Sequence, residues 1–255
     1  MYEHIIVPFD GTEEAGEAAM LAAELGPRLG GRPTLVTSVD ADAAEVEELK
    51  ARAVIASDSS VDVWVEKSSR TASALASAVH FRPGSLVCLA SHARDGVDRL
   101  LHGSLAGRVV AEIDAPVLVL GPEYEPFAVK DLRGLIVCVD GSETGQSVVP
   151  LAARWASHLE LPVLLVTVDD GTPGPDLDAL AELLRPHCPD VGVRRIAGAV
   201  VADAIVSLVA AFTPCIVVMG SHGRSGLGRL IGGSQIDAVV RRSPAPVLVQ
   251  RAARH

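Results

Sequence analysis

One stretch of this 255-residue chain gathers the residue types that hold an anion. It runs Met219-Gly220-Ser221-His222-Gly223-Arg224 and ends Gly232-Gly233-Ser234. Glycine at 220 and 223 lets backbone N–H groups approach a ligand with no Cβ in the way. Gly233-Ser234 stands where a helix would begin, and a helix N-terminus adds unpaired N–H groups and the positive end of its dipole. Ser234 brings a hydroxyl, and Arg224 and Arg229 bring charge. The chemistry is that of wrapping a polyphosphate. The competing reading is a glycine-rich turn with no ligand. Two standard phosphate motifs are absent: there is no G-x-x-x-x-G-K-[ST], and the G-x-G at Gly226 and Gly228 has Ile231 where a third glycine is required.

Asp140 is the next candidate. It follows the apolar run Leu135–Val139, and a carboxylate just past a buried strand can accept from a sugar hydroxyl or base amine, or hold a metal ion. The competing reading is a helix N-cap with Gly141 making the turn. Asp10 carries the same ambiguity. His222 and its counterpart His92 read as loop histidines contacting backbone or a phosphate oxygen. A general-base role lacks a neighbouring carboxylate in sequence. Cys88, Cys138, Cys188 and Cys215 have no CxxC spacing and read as reduced, buried thiols rather than metal ligands or disulfides. The acidic run Asp42–Glu48 reads as a solvated helix face.

The elements that must position these residues occur twice. Sliding the chain by 130 positions brings Asp10-Gly11-Thr12 onto Asp140-Gly141-Ser142, and Ser91-His92 onto Ser221-His222. The same offset brings Gly103-Ser104 onto Gly233-Ser234, and Ala115-Pro116-Val117-Leu118-Val119 onto Ala245-Pro246-Val247-Leu248-Val249. One register over that distance marks a tandem duplication. Each copy, of about 125 residues, is long enough to bury its own core. The predicted domains are 1–121 and 134–255, with the proline-bearing segment 122–133 as a linker.

In the first copy, strands are predicted at His4–Phe9, Pro33–Val39, Val61–Val65, Ser85–Ala90 and Pro116–Leu120. Helices are predicted at Thr12–Leu29, with Thr12 as N-cap, and at Asp42–Val54, Arg70–His80 and Ser104–Glu112. In the second, strands fall near Leu135–Val139, Pro162–Val168, Val191–Ile196, Cys215–Gly220 and Pro246–Gln250. Runs such as Leu135-Ile136-Val137-Cys138-Val139 lack polar alternation, as expected of parallel strands covered by helices on both faces. The fold class is therefore α/β, two tandem Rossmann-like five-stranded sheets. Ligands in such folds bind beyond the carboxyl ends of strands, at the switch point.

Composition agrees. Hydrophobic residues make up 49% of the chain and aromatics only 3%, which suits small aliphatic strands under Ala- and Leu-rich helices and excludes disorder. The net charge of −10 and the scarcity of aromatics argue against a nucleic-acid partner. An anionic small ligand is not disfavoured, because local N–H groups, not net charge, would hold it. No apolar run is long enough for a membrane helix, and the N-terminus reads as a first strand rather than a signal peptide, so a cytoplasmic location is expected.

Gly220-x2-Gly223-x9-Gly233-Ser234, with Asp140 after the first strand and Ala245-Pro246-Val247-Leu248-Val249 at the end, resembles the nucleotide-binding signature of the universal stress protein (UspA) family. The resemblance covers both copies. It implies an adenine nucleotide alpha hydrolase-like fold with strand order 3-2-1-4-5, and ATP as ligand with Mg²⁺ or Mn²⁺ at its phosphates. Carried onto this sequence, it assigns Asp140 to the adenosine end and the Val168 backbone to adenine. Gly220, His222, Gly223, Gly233 and Ser234 are assigned to the phosphates. Cys138, where many members have proline, would line the pocket passively. In the first copy Asp10, Gly103 and Ser104 remain, but Ala90 and Ala93 replace the early glycines, and their methyl groups would obstruct phosphates. ATP is therefore expected mainly in the second copy.

Three functions follow as alternatives. The first is a nucleotide-responsive stress regulator, in which ATP would order the loop Ser221–Gly233 and change the surface displayed. The second is a slow ATPase or phosphotransfer enzyme, for which no convincing base is visible. The third is a nucleotide-free dimerisation scaffold. The last strands are expected to be edges, with Val117–Leu120 pairing with Val247–Gln250 as an intrachain pseudo-dimer; a homodimer of two chains is left open.

Overall fold

The computed structural model describes residues 1–38, 62–66, 71–91, 109, 113–169, 171, 174–221 and 235–251. The predicted helix Asp42–Val54, the acidic run within it and most of Ser104–Glu112 lie outside the described residues. The chain forms two compact units, Met1–Leu120 and Gly121–His255.

The first unit contains β1 (His4–Pro8), α1 (Glu13–Leu29), β2 (Arg32–Ser38), β3 (Asp62–Glu66), α2 (Thr71–His80), β4 (Ser85–Ala90) and β5 (Val117–Leu120). The strands lie parallel in the order β3-β2-β1-β4-β5. Ile5, Ile6, Val7, Leu86, Val87 and Leu89 are fully buried, which is why these runs carry no polar alternation.

The second unit contains β6 (Leu135–Cys138), α3 (Glu143–Gln146), α4 (Val149–Leu159), β7 (Val163–Asp169), α5 (Leu177–Leu184) and β8 (Val191–Ala197). It continues with α6 (Val201–Phe212), β9 (Ile216–Ser221), α7 (Gln235–Arg242) and β10 (Val247–Arg251). Its parallel order is β8-β7-β6-β9-β10, so each unit has the 3-2-1-4-5 arrangement that the resemblance implies. Strand ends differ from the predicted ones by a residue or so, the ordinary uncertainty of element boundaries. Residues 122–133 pack within this unit: Val129 and Leu132 are buried, and Arg133 N donates to Pro214 O at 2.9 Å.

The two copies differ after their first strands. α1 runs unbroken for 17 residues. Its counterpart is interrupted into α3 and α4 around Ser147 and Val148. Pro150 stands where the first unit has Met20, and a proline offers no N–H to the carbonyl four residues back. It is accommodated in the first turn of α4, where that N–H is not needed.

Burial governs the cysteines. Cys88 Sγ donates to Ala18 O at 3.5 Å, and its thiol is pushed up to about 12 by burial. Burial likewise pushes the Cys138 thiol up to about 12, with Cys215 adding to it. Cys215 also rises to about 12 through burial, against the opposing pull of the Arg133 guanidinium. All three are protonated at neutral pH. Their folded values exceed the ordinary 9.0, so this contribution to stability is complete below that pH and is lost as pH climbs toward 12.

Two predictions follow from this packing. Leu165→Ala removes a fully buried side chain from β7 and should cost about 2–5 kcal/mol in urea unfolding. Trp155, fully buried in α4, provides the fluorescence signal for this unit once Trp64 of the first is replaced by Phe. In native protein at pH 8, Cys188 should react first with an aromatic disulfide reagent, because Cys88 and Cys215 are fully buried and burial holds the Cys138 thiol at about 12. Persistence of the fast phase in Cys188→Ser would contradict this.

Candidate functional site

A buried parallel strand must turn sharply to enter its helix, and both units make that turn with the same three residues. In the second unit, Gly141 takes a left-handed φ of 79°, which favours glycine. Ser142 N and Ser142 Oγ then donate to Asp140 Oδ1 at 3.0 and 2.6 Å. Ser142 Oγ in turn accepts from Gly145 N at 2.9 Å and caps α3. The first unit repeats the device. Gly11 has φ 81°, and Thr12 N and Oγ1 donate to Asp10 Oδ1 at 3.1 and 2.6 Å. Thr12 Oγ1 accepts from Ala15 N at 3.4 Å and caps α1. The aspartates therefore do not cap their helices. Each braces the residue that does, two positions on. The predicted N-cap Thr12 is observed; Ser142 as the corresponding cap was not identified from sequence.

Asp140 is exposed and spends Oδ1 on this turn, while Oδ2 takes no hydrogen bond from a described residue. That leaves a carboxylate oxygen at the mouth of the sheet, fixed in direction by its partner.

Val168 lies beside it across β6. Ladder pairing between β6 and β7 ends at Cys138 with Val166, and Val139 N donates to Val166 O at 2.9 Å. β7 continues to Asp169. By the two-residue period of a strand, the amide and carbonyl of Val168 point to the same side as Val166 O. There they pass beyond the end of β6, and the half-buried Val168 presents both a donor and an acceptor. The first unit shares this geometry: Phe9 N donates to Val36 O at 2.9 Å, and β2 runs on to Ser38.

Gly220 ends on the other flank of β6, near the last residues of β9. A Cβ there would lie 2.3 Å from Thr144 O, the carbonyl that also accepts from Ser147 Oγ at 2.7 Å. A Cβ on Gly145 would lie 2.1 Å from Asp140 Oδ1. Neither glycine has positive φ, so both are there for room. For Gly145 this runs against helix propensity, where glycine costs about 1 kcal/mol relative to alanine. The structure thus brings Asp140 and Gly220 together through Thr144 and Gly145, with Val168 at the same end of the sheet. Gly145 was missed from sequence. Its signal was the 130-residue register, which sets it against Ala15 just as it sets Gly220 against Ala90.

His222, Gly223, Gly233 and Ser234 lie outside the described residues, as do Gly103, Ser104, His92, Ala93, Arg224 and Arg229. α7, which follows Ser234, carries the buried Asp237 paired with Arg241 at 3.0 Å, so its first turn holds a neutralised carboxylate. Among the described residues no three His, Cys, Asp or Glu side chains gather as a metal site, and no helix is long and apolar enough to cross a membrane.

Comparison with known proteins bears on this geometry. A family model described as the universal stress protein family matches residues 177–251, from α5 through β10. A universal stress protein of Mycobacterium tuberculosis is 29% identical over 184 residues, covering 65% of this chain and 61% of that protein. The match thus spans less than two thirds of that relative's length. A universal stress protein structure from Archaeoglobus fulgidus superposes with TM-score 0.73 at 18% identity, covering 97% of this chain and 96% of that one. One from Pseudomonas aeruginosa, described as putative, gives TM-score 0.63 at 15% identity over 98% and 93%. These two show the fold, and they span both units. The family model thus matches the second unit from α5 through β10, and both units share the fold of the universal stress protein structures.

Proposed function

We propose that the second unit binds an adenine nucleotide, ATP in the first place, and that the protein acts as a nucleotide-responsive stress regulator. The observation that carries this reading is the backbone of Val168, whose donor and acceptor face past the end of β6. An adenine edge offers the complementary acceptor and amine, and no side chain is needed to read it. Asp140 Oδ2 stands at the same end of the sheet, where a ribose hydroxyl can donate to it. This is the position beyond the strand ends, at the point where the chain order reverses between β6 and β9, that parallel sheets use for ligands.

The phosphate assignments of Gly220, His222, Gly223, Gly233 and Ser234 rest on the family signature. A divalent cation would ride on the phosphates, since Mg²⁺ is usually held by substrate oxygens and few protein groups. One observation favours the scaffold reading in part: Gly220 is required for the close approach of β9 to Thr144, with or without a ligand. Gly220 by itself is therefore no argument for phosphate, and the reading stands on Val168 and Asp140.

Denaturing the purified protein should release adenine nucleotide, identified by chromatography as ATP, ADP or a cyclic form. Isothermal titration with Mg-ATP should give one site per chain; two equal sites would overturn the asymmetry between units. Asp140→Ala should weaken ATP at least tenfold, about 1.4 kcal/mol. Gly233→Val should abolish phosphate discrimination, so that ATP and adenosine bind alike. Phosphate release should stay at background. Turnover lost in Asp140→Ala would instead favour the enzyme, and no binding after incubation with Mg-ATP would favour the scaffold.

A further inference from the structure

We infer that Gly145 is a positioning residue of the second unit's site: with Gly220 it sets how closely the first turn of α3 seats against β6 and β9, and so where the braced Asp140 carboxylate stands against the strand ends. This rests on the reading of Asp140 as a ligand contact. The two glycines act on one small piece of backbone. Gly220 faces Thr144 O at a distance a Cβ could not occupy, and the next residue, Gly145, faces Asp140 Oδ1 in the same way. At Gly220 the obstacle is backbone, so a methyl group there requires the turn Glu143–Gly145 to move; at Gly145 it is the Asp140 carboxylate, so a methyl group there displaces the turn or the carboxylate.

The first unit is the natural control. It carries alanine at both corresponding positions, 15 and 90, with the same Asp-Gly-hydroxyl turn. There the helix amide stands 3.4 Å from its capping oxygen, against 2.9 Å in the second unit. The cap distance lengthens where the methyl groups are present. The substitutions at 15 and 90 thus describe one structural state, and those at 145 and 220 another. The Asp10 brace is the same as that of Asp140, so what differs between the units is the seating of the helix turn and not the bonds of the carboxylate.

Gly145→Ala should bind ATP at least tenfold more weakly than the native chain while keeping its thermal stability, because alanine is the better helix former. In the Asp140→Ala background the same change should cost nothing further, since the residue it acts through is gone. An unchanged affinity in Gly145→Ala, or an equal further loss in Asp140→Ala, would overturn the inference. Amide exchange supplies a readout without ligand. The amide of residue 145, held by Ser142 Oγ, should exchange faster in Gly145→Ala than in the native chain, in line with the longer bond from Ala15 N in the first unit, and unchanged protection would also refute it. If the native chain binds no adenine nucleotide, the proposed function fails, while faster exchange at residue 145 still upholds the spacing role.

Discussion

The turn from first strand to first helix is the constraint on which both units depend. A strand buried on both faces cannot carry polar groups along its length, so its polar residues are concentrated where it emerges. At that point the chain must reverse within three residues and begin a helix whose first N–H groups have no intrahelical partner. Asp140, Gly141 and Ser142 meet all of these demands. Glycine takes the left-handed turn, serine caps the helix, and aspartate holds serine through both its amide and its hydroxyl. Because only one carboxylate oxygen is spent, the brace leaves the other at the mouth of the sheet. A structural necessity thereby presents a polar group where a ligand would arrive.

Much of this architecture was legible in the sequence, for physical reasons that can be named. Leu135–Val139 and Ser85–Ala90 are apolar without alternation because helices cover the sheet, and that is readable without any neighbour being known. The 130-residue register replaced tertiary information, since one copy could be read against the other. What escaped was contact across elements. Asp140 looked like a cap because caps are local and common, whereas its actual role depends on the orientation of Ser142. Gly145 carries no local signal of its role, which appears only once Asp140 Oδ1 is placed against it. The backbone of Val168 can be picked out only after β6 is known to stop two residues short of it. The glycine-rich segment after Ser221 was the most conspicuous chemical feature of the sequence, and it lies outside the described residues.

The duplicated units have kept the brace and diverged around it. Asp10 and Asp140 make the same pair of hydrogen bonds to within about 0.1 Å. Beyond that turn, the first unit runs a single long helix with alanine at its third residue, and the second breaks its helix at Ser147 and Val148. The break has a consequence for the site. α1 is anchored along its whole length, with Ala15, Ala18, Ala19, Ala22, Leu25 and Leu29 all buried. Its first turn cannot move independently of that core. α3 has only four residues, and Ser147 closes it by bonding back to Glu143 O and Thr144 O. Pro150 relieves α4 of any need to continue that ladder. The short turn is free to seat where Asp140 and Gly220 place it, rather than where the long helix axis would carry it. The glycines supply the space and the proline supplies the independence. Neither alone would bring α3 onto the strand ends, because a rigid helix could not use the space and an alanine-bearing turn could not enter it.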